Sequence, residues 1–295
     1  ISSYTIANIS NNIYSYSLLK KTLKDVMFID LNFVFFKIFC IPDLVHVHDI
    51  YNLKQIILVT KLLNMGIPTY ISPRGALCKA ALSRSKIKKN IFFKIMNFLV
   101  IRRITAFIAL NKGEKKSIQS LYPNKKIIIA HNGTNNHYLL HRLYYENFKN
   151  KYANNIINIG FLGRFDIYIK GLDLLLEAYC KYQNSTNKVN IKITLIGDHR
   201  KKNDFDSKQY LLSSSKKLRD KSMLSYQGPV FGQDKWRELS KFDILIQPSR
   251  SEGMPLTVIE AMSIGIPCIV SKETNMGEII NEAKCGWVIN ATVDD

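Results

Sequence analysis

Two acidic residues at a fixed spacing are the strongest chemical feature of the sequence. They are Glu252 and Glu260, within the segment SRSEGMPLTVIEAMSIGIP at 249–267. Eight residues of helix span about 12 Å, so these carboxylates cannot share a proton or flank one bond. The spacing suits contacts to two parts of one elongated ligand, such as a sugar and a ribose. The alternative is structural, with Glu252 in the first turn of a helix and Glu260 in solvent.

A predicted helix start lies between these two carboxylates. Pro255 follows an apolar strand at 243–246 and suits the first turn of a helix. The first N–H groups of a helix lack an intrahelical acceptor and the dipole is positive there, so such a turn can hold a phosphate. Gly253 would let the backbone approach a ligand closely. We therefore expect an anion site at 252–254.

A second segment offers positive charge for the same ligand. At 160–176 an apolar strand ends in Gly163 and Arg164, and a loop leads to Lys170 at the mouth of the next helix. Open α/β sheets bind ligands beyond the carboxyl ends of their strands. Arg164 and Lys170 could there neutralise a diphosphate that gains charge as its bond to a sugar breaks. Either cation alone could also be an ordinary surface residue.

The C-terminal half alternates apolar strand-like runs with helical patterns, as parallel β-α-β units do. Predicted strands lie at 156–162, 189–196, 223–226, 242–246, 267–270 and 286–289, and predicted helices at 171–182, 208–219, 234–241, 256–264 and 276–282. This alternation predicts a doubly wound sheet that is covered on both faces.

The N-terminal half is less regular but similar in kind. Predicted strands lie at 44–48, 69–71, 106–110 and 127–130, and predicted helices at 53–64, 91–103 and 114–121. The polar stretch 135–155 has no clear period and reads as an interdomain connection. We therefore predict an α/β fold of two Rossmann-like, doubly wound domains facing a cleft, one over 1–150 and the other over 151–295.

Composition limits the classes of protein to which the chain can belong. The 295 residues are 46% hydrophobic, which allows two domains with buried cores and argues against disorder. The five cysteines are odd in number and include no Cys-x-x-Cys pair, so neither a disulfide framework nor a zinc site is indicated. A reducing cytoplasm fits best.

Positive charge is concentrated in the N-terminal half. Residues 1–150 carry 22 Lys and Arg against 6 Asp and Glu, a net charge of +16, whereas residues 151–295 carry 20 against 17, a net charge of +3. Such a field attracts anionic phospholipid, nucleic acid or phosphorylated substrates, although a solvated lysine-rich surface explains it equally well. No recognised nucleic-acid module is present, so nucleic acid is not an expected partner.

Two apolar stretches bear on contact with a membrane. The stretch 26–41 is interrupted by Asp30, Asn32 and Lys37 and is too short to cross a bilayer of about 30 Å, so it reads as buried core. The stretch 84–103 combines seven cations with apolar and aromatic residues. As a helix it could lie in the interface of an anionic membrane, or it could be a core helix with basic flanks.

Common cofactor and metal motifs give little support to other classes. No Gly-x-Gly-x-x-Gly follows a strand and no P-loop motif occurs, so dehydrogenases and P-loop enzymes are disfavoured. Asp204 and Asp206 form an Asp-x-Asp pair of a kind that can hold a metal ion. The pair lies in a polar run at 198–209, which predicts a surface loop instead.

Together the two segments resemble the signatures of glycosyltransferase family 4, retaining enzymes of the group 1 type with the GT-B fold. The Glu-x7-Glu element carries most of the resemblance, and its matching residues are Glu252, Gly253, Pro255, Glu260, Ala261, Gly265 and Pro267. The element from Gly163 and Arg164 to Lys170 and Gly171 adds to it. Weaker matches are VHVH at 45–48, SPRG at 72–75, HNG at 131–133 and GWV at 286–288.

The resemblance implies roles for the matching residues. Arg164 and Lys170 would bind the donor diphosphate, Glu252 would face the transferred sugar, and Glu260 would face the ribose. Further donor contacts would come from Gly163 and from the backbone amides of Gly253, Met254 and Leu256. Such enzymes retain anomeric configuration and need no metal ion, and the leaving phosphate helps to deprotonate the acceptor. The implied catalytic residues are Glu252, Arg164 and Lys170, no cofactor is expected, and the donor is a UDP-, GDP- or ADP-sugar.

The sequence also departs from the family pattern. Many relatives carry a histidine immediately before the glycine matched by Gly75, and here that position is Arg74. His46 and His48 could line the cleft instead, although a histidine at a strand end is more often structural. The chain begins with Ile and stops just after an apparent strand, without the family's early glycine-rich loop and final helix. We therefore expect a fragment that lacks both ends, with an incomplete N-terminal domain.

The predicted function is transfer of a hexose-type sugar to a glycan or lipid-linked acceptor during synthesis of a surface polysaccharide. The enzyme would be cytoplasmic and could lie on an anionic surface, at the inner face of the plasma membrane. Two alternatives remain open. One is a non-catalytic, donor-binding remnant of such an enzyme. The other is a nucleotide-sugar enzyme with a soluble acceptor, or an epimerase on the same scaffold.

Overall fold

Two six-stranded parallel sheets form the framework of the protein. The computed structural model describes residues 3–6, 26–29, 42–50, 53–77, 82, 92, 94–134, 156–186, 189–199, 201–202 and 205–295. The chain divides into two units, Ile1–His131 and Asn132–Asp295. The boundary predicted at 150 falls within 135–155, outside the described residues, and stays a prediction. The prediction of an α/β fold with two Rossmann-like domains is confirmed.

The first unit contains one parallel sheet in the order β2-β1-β3-β4-β5-β6. Its strands are β1 Ser3–Ile6, β2 Val26–Ile29, β3 Leu44–His48, β4 Thr69–Ser72, β5 Ala106–Ala109 and β6 Ile127–Ile129, and its α-helices are α1 Leu53–Asn64 and α2 Lys112–Leu121. The strand β3 alternates in burial, with Val45 and Val47 in the core. The stretch 3–6 was not predicted as a strand, and 26–29 was predicted only as buried core.

One predicted helix of the first unit has a different geometry. The segment Asn97–Ile101 is a π-helix, in which the Arg102 amide donates to the Asn97 carbonyl at 3.2 Å. Met96, Val100 and Ile101 are buried on its inner side. The helix predicted over 91–103 is therefore only partly confirmed, and residues 91 and 93 lie outside the described part of the chain.

The second unit contains a parallel sheet in the order β11-β8-β7-β12-β13-β14. Its strands are β7 Ile156–Leu162, β8 Asn190–Ile196, β11 Leu224–Gln227, β12 Ile244–Gln247, β13 Cys268–Ser271 and β14 Gly286–Ile289, and its helices are α3 Leu172–Asn184, α4 Ser207–Ser215, α5 Gly232–Leu239, α6 Leu256–Ser263 and α7 Gly277–Ala283. Short 3-10 turns occupy Lys221–Met223 and Lys272–Thr274. All six predicted strands and all five predicted helices of this half are confirmed, with ends shifted by a few residues.

Two local predictions in the second unit need correction. The helix predicted over 208–219 ends at Ser215, where the Ser213 and Ser215 hydroxyls bond to carbonyls three residues back. The run predicted as a surface loop contains a two-stranded antiparallel pair, β9 Lys201–Lys202 with β10 Phe205–Asp206. Asp206 caps α4 by accepting from the Lys208 amide at 2.8 Å. Asp204 lies outside the described residues.

The order of strands in the second sheet determines where a ligand can bind. The chain passes outward from β7 to β8 and β11, then returns to place β12 on the other side of β7. At such a topological switch point the loops after the two central strands separate, and a crevice opens at their carboxyl ends. The loops that follow β7 and β12 carry Arg164, Lys170 and Glu252.

Within the part of the chain that the structure describes, none of the helices has both the length and the hydropathy to cross a membrane.

Candidate active site

The carboxyl edge of the second sheet brings Lys170 and Glu252 together. The Lys170 ammonium donates to Glu252 Oε1 across 82 residues of sequence. Each side chain is 16% exposed, so the pair is largely shielded from solvent but still open on one side. A shielded ion pair at a ligand-binding edge supplies both a cation and a hydrogen-bond acceptor for a ligand.

A tight turn after β7 carries Lys170 to this position. The Lys170 amide donates to the Asp166 carbonyl at 2.8 Å, and the turn ends at Gly171 with φ +66°. A Cβ at Gly171 would lie 2.0 Å from the Pro248 carbonyl oxygen. Glycine is therefore required at this point, because only its bare backbone lets the turn reach the loop after β12.

Hydrogen bonds fix both the backbone and the carboxylate of Glu252. Its amide donates to the Glu273 carbonyl at 3.0 Å, and its carbonyl accepts from Asn275 Nδ2 at 2.7 Å. Its carboxylate also accepts from Ser249 Oγ at 3.1 Å and, more weakly, from Gln247 Nε2 at 3.4 Å. The buried Gln247 and Ser249 side chains were not predicted as part of the site. Their only signal in the sequence is that the apolar strand β12 ends in the polar Gln247 and that Ser249 follows two residues later.

Arg164 lies at the same edge but outside this pair. Its backbone is fixed because the neighbouring amides of Gly163 and Phe165 donate to β8 and the loop after it, at 2.9 and 2.8 Å. A Cβ at Gly197 would lie 1.8 Å from the Gly163 carbonyl oxygen, so the two backbones are in close contact. The Arg164 side chain is exposed, and among the described residues it forms no ion pair. The structure thus leaves Arg164 available to a ligand.

The helix α6 begins immediately beyond Glu252. Pro255 is its N-cap residue, so Glu252 precedes the helix and is not a first-turn carboxylate. Met254 is 8% exposed and Leu256 is 46% exposed, with Gly253 beside them in the loop. The positive end of the helix dipole therefore lies next to the Lys170–Glu252 pair, as the sequence predicted.

Glu260 lies about one turn into α6, four residues after Leu256, and has its own cation. Lys235 Nζ, from α5, donates to Glu260 Oε1 at 2.5 Å, and the Glu260 side chain is only 10% exposed. The alternative that Glu260 is a solvated surface residue is therefore wrong. Lys235 was not predicted as part of the site, because nothing in its local sequence distinguishes it from other surface lysines.

The first unit has a polar cluster at the carboxyl ends of β3 and β4. His46 Nε2 lies 2.7 Å from Ser72 Oγ, and the rings of His46 and His48 are 4.2 Å apart. Arg74 Nε donates to His48 Nδ1 at 2.9 Å. Because an arginine Nε–H can only donate, the ring proton of neutral His48 is on Nε2. His48 can therefore offer a hydrogen bond to a ligand through Nε2, but it is poorly suited to accept a proton.

Burial keeps both histidines neutral. Desolvation lowers the pKa of His46 from 6.5 to about 4, and the nearby Arg74 charge adds to this effect. Desolvation, followed by His46 and Arg74, lowers the pKa of His48 from 6.5 to about 3. Arg74 has φ +51° and the exposed Asp49 has φ +68°, conformations that non-glycine residues rarely adopt outside constrained sites.

Among the residues that the structure describes, no group of three or more His, Cys, Asp or Glu side chains could hold a metal ion. The described part of the Asp-x-Asp pair, Asp206, serves as a helix cap.

The sequence model described as "Glycosyl transferases group 1" matches residues 145–295, about half of the chain and the part that contains the Lys170–Glu252 pair. The chain belongs to this family. An uncharacterized glycosyltransferase of Methanocaldococcus jannaschii is 26% identical over 244 residues, which are 81% of this chain and 58% of that protein. The group 1 chain therefore spans less than two thirds of that relative.

Solved structures place the group 1 chain in the GT-B fold. Anabaena HepE, solved in complex with UDP, matches with a TM-score of 0.72 and 13% identity, over 98% of this chain and 86% of that one. WaaG, a glycosyltransferase involved in lipopolysaccharide biosynthesis, matches with a TM-score of 0.62 and 14% identity, also over 98% and 86%. The predicted GT-B fold is confirmed.

Proposed function

We propose that this group 1 glycosyltransferase chain transfers a hexose-type sugar from a nucleotide diphosphate sugar to a glycan or lipid-linked acceptor, with retention of anomeric configuration. The observation that carries the proposal is the Lys170–Glu252 pair at the carboxyl edge of β7 and β12, beside the positive end of α6. A cation, a carboxylate acceptor and a helix N-terminus are the groups that a sugar diphosphate requires.

The leaving group of this reaction is a nucleoside diphosphate. Negative charge grows on it as the bond between the sugar and the phosphate breaks, so positive groups fixed nearby stabilise the transition state more than the ground state. Lys170, the exposed Arg164 and the backbone amides of Gly253, Met254 and Leu256 would supply that charge. We propose metal-independent transfer because Lys170 and Arg164 would supply the positive charge that a divalent ion could otherwise contribute at the diphosphate.

The two carboxylates would bind the donor at its two ends. Glu252 would accept hydrogen bonds from hydroxyls of the transferred sugar, while Ser249 and Gln247 keep its carboxylate oriented. Glu260, with Lys235 at 2.5 Å, would accept from the ribose hydroxyls. A carboxylate whose position is already fixed loses little side-chain entropy when the hydroxyls bind.

A UDP-sugar is the first donor to test, with GDP- and ADP-sugars next. The support is that HepE, which shares the fold, was solved with UDP. Binding measured with the panel of three nucleotides decides this point.

We also propose that the acceptor is part of a surface glycan and that transfer takes place at the cytoplasmic face of the membrane. The support is a net charge of +16 over residues 1–150, together with Phe98 at 69% and Ile95 at 44% exposure beside the exposed Lys94, Arg102 and Arg103. Exposed apolar side chains flanked by cations suit an anionic lipid surface. The fold relative WaaG takes part in lipopolysaccharide biosynthesis.

The test is turnover in the presence of a pooled glycan and glycolipid acceptor extract. Release of nucleoside diphosphate is followed for the unmodified chain, for Glu252→Gln, and for Glu282→Gln as an exposed control on α7. We expect a loss of at least about 100-fold in Glu252→Gln and no change in the control. Equal rates in the two variants would contradict the role of Glu252. Donor binding without any release would identify a binding module in place of an enzyme.

A further inference from the structure

Arg250 connects the two loops that carry Lys170 and Glu252. Its Nη1 and Nη2 atoms donate to the two carboxylate oxygens of Asp173 at 2.7 and 2.8 Å. Nη1 also donates to the Tyr168 carbonyl at 2.7 Å, and the guanidinium lies 4.4 Å from the centroid of the Tyr168 ring. A forked contact of this kind fixes direction as well as distance, which a single lysine contact would not do.

These contacts lie on both sides of Lys170. Tyr168 precedes it by two residues and Asp173 follows it by three, at the start of α3. The Arg250 amide donates to the Ile169 carbonyl at 2.8 Å, which attaches the backbone of one loop to the other. Arg250 itself lies two residues before Glu252. Arg250 thus joins the backbone on both sides of Lys170 to the segment that leads into Glu252.

The guanidinium has no obvious task in binding a ligand directly. Both terminal nitrogens donate to protein acceptors, and the side chain is 22% exposed. The Asp173 carboxylate, at 27% exposure, balances its charge locally. These contacts distinguish Arg250 from Arg164, whose exposed side chain forms no ion pair in the described part of the chain.

We propose that Arg250 is a positioning residue for the donor site: by clamping the turn 168–173 to the segment 248–252, it sets the distance between the Lys170 ammonium and the Glu252 carboxylate. The effect on donor binding rests on the proposed function, whereas the clamp itself does not. Two measurements test the clamp and its effect on donor binding separately.

The first measurement is hydrogen exchange of the two loops, which needs no ligand. The amides of Lys170, Arg250 and Glu252 all donate to carbonyls, so their exchange reports on loop order. Arg250→Met should speed exchange by about tenfold or more in peptides covering 165–171 and 248–254, and leave peptides from β8 unchanged. Arg237→Met, which breaks the exposed pair of Arg237 with Asp234, is the matched control and should change neither loop.

A second variant keeps the proposal testable if Arg250→Met does not fold. Asp173→Asn weakens the same fork from the other side and should give the same pattern of faster exchange in both loops. If Arg250→Met or Asp173→Asn folds and both loops exchange at the rate of the unmodified chain, the clamp does not exist. Faster exchange spread evenly over the second unit would equally overturn it, because that is a loss of global stability.

The second measurement is a double-variant cycle on nucleotide affinity, with UDP, GDP and ADP as the probes. For whichever probe binds, Arg250→Met should weaken affinity by about tenfold in the unmodified background. The same change should have an effect of less than about twofold in the Lys170→Met background, since Arg250 acts through Lys170. Equal losses in both backgrounds would show that Arg250 acts independently of Lys170. If no probe binds the unmodified chain, the proposed function fails while the exchange measurement still decides the clamp.

Discussion

Lys170 and Glu252 depend on each other because neither has much access to water. Each side chain is 16% exposed. Removing one partner therefore leaves the charge of the other partly buried without its opposite charge. We expect Lys170→Met to lower the free energy of unfolding of the second unit by about 1 to 3 kcal/mol, measured by urea denaturation. Lys170→Met/Glu252→Gln should recover part of that loss. A double variant as unstable as the sum of the single variants would show that the pair is not coupled.

The histidine pair of the first unit predicts a dependence of stability on pH. The pKa values of His46 and His48 are lowered from 6.5 to about 4 and about 3. Between pH 6.5 and these values the unfolded state binds a proton at each histidine and the native state does not. Their contribution is fully present above pH 6.5 and is lost as the pH falls towards 4 and 3. By pH 5 the loss should be about 1 kcal/mol per histidine after allowing for screening by solvent.

Denaturation at pH 7.5 and pH 5 tests this expectation, with His46→Gln/His48→Asn as the comparison. Both tryptophans, Trp236 and Trp287, lie in the second unit, so their fluorescence reports on that unit alone. Far-UV circular dichroism reports on both units. The double variant should lose the acid-dependent part of the dichroism transition. An unchanged acid dependence in the double variant would show that these histidines do not carry it.

The charged residues of the candidate site were largely predictable from the sequence, whereas the residues that hold them in place were not. Glu252 and Lys170 each lie in a short motif that follows a predicted strand. The carboxyl ends of parallel strands lie at one edge of the sheet, so the two motifs are expected at the same edge. Lys235 and Arg250 act through contacts between elements that are distant in sequence. The spacing within each local segment carries no information about such contacts.

At the scale of single elements, Gly171 is the clearest test of how the site is built. Its φ of +66° and the 2.0 Å approach of a Cβ to the Pro248 carbonyl oxygen leave no room for a side chain. Gly171→Ala should lower the free energy of unfolding by about 2 to 4 kcal/mol and weaken donor binding, because the turn must move away. Gly228→Ala, whose added Cβ would meet no atom of the described residues within 4 Å, is the control in the same unit and should be neutral. A neutral Gly171→Ala would contradict this account of the turn.

The elements that were predicted share a strong period. The buried β-branched runs and the helices of the second unit show it clearly, and they were all found with small shifts at their ends. The elements that were missed have no such hydrophobic period. The pair β9 and β10 has two residues in each strand, and the π-helix Asn97–Ile101 differs from an α-helix only in its hydrogen-bond register. Met96 and Val100 are buried at this helix, and tertiary packing of that kind leaves no periodic signal in the local sequence.

At the scale of the whole molecule, the uneven charge predicts binding to anionic lipid. The chain should sediment with vesicles that contain about 30% phosphatidylglycerol and not with phosphatidylcholine vesicles, and raising salt from 0.1 to 0.5 M should weaken binding severalfold. Ile95→Ser/Phe98→Ser should reduce the part of the binding that remains at high salt. Equal binding to neutral vesicles, or none to anionic ones, would contradict a membrane-surface role.

We propose that the second unit holds a nucleotide sugar between Lys170, Arg164 and the two carboxylates of the Glu-x7-Glu element. The most direct measurement is calorimetric titration of the chain with UDP-, GDP- and ADP-sugars, repeated for Lys170→Ala and for the exposed control Lys181→Ala. We predict saturable binding of one nucleotide class, weakened at least about tenfold in Lys170→Ala and unchanged in the control. Absence of binding to all three classes, or equal affinity in Lys170→Ala, would contradict it.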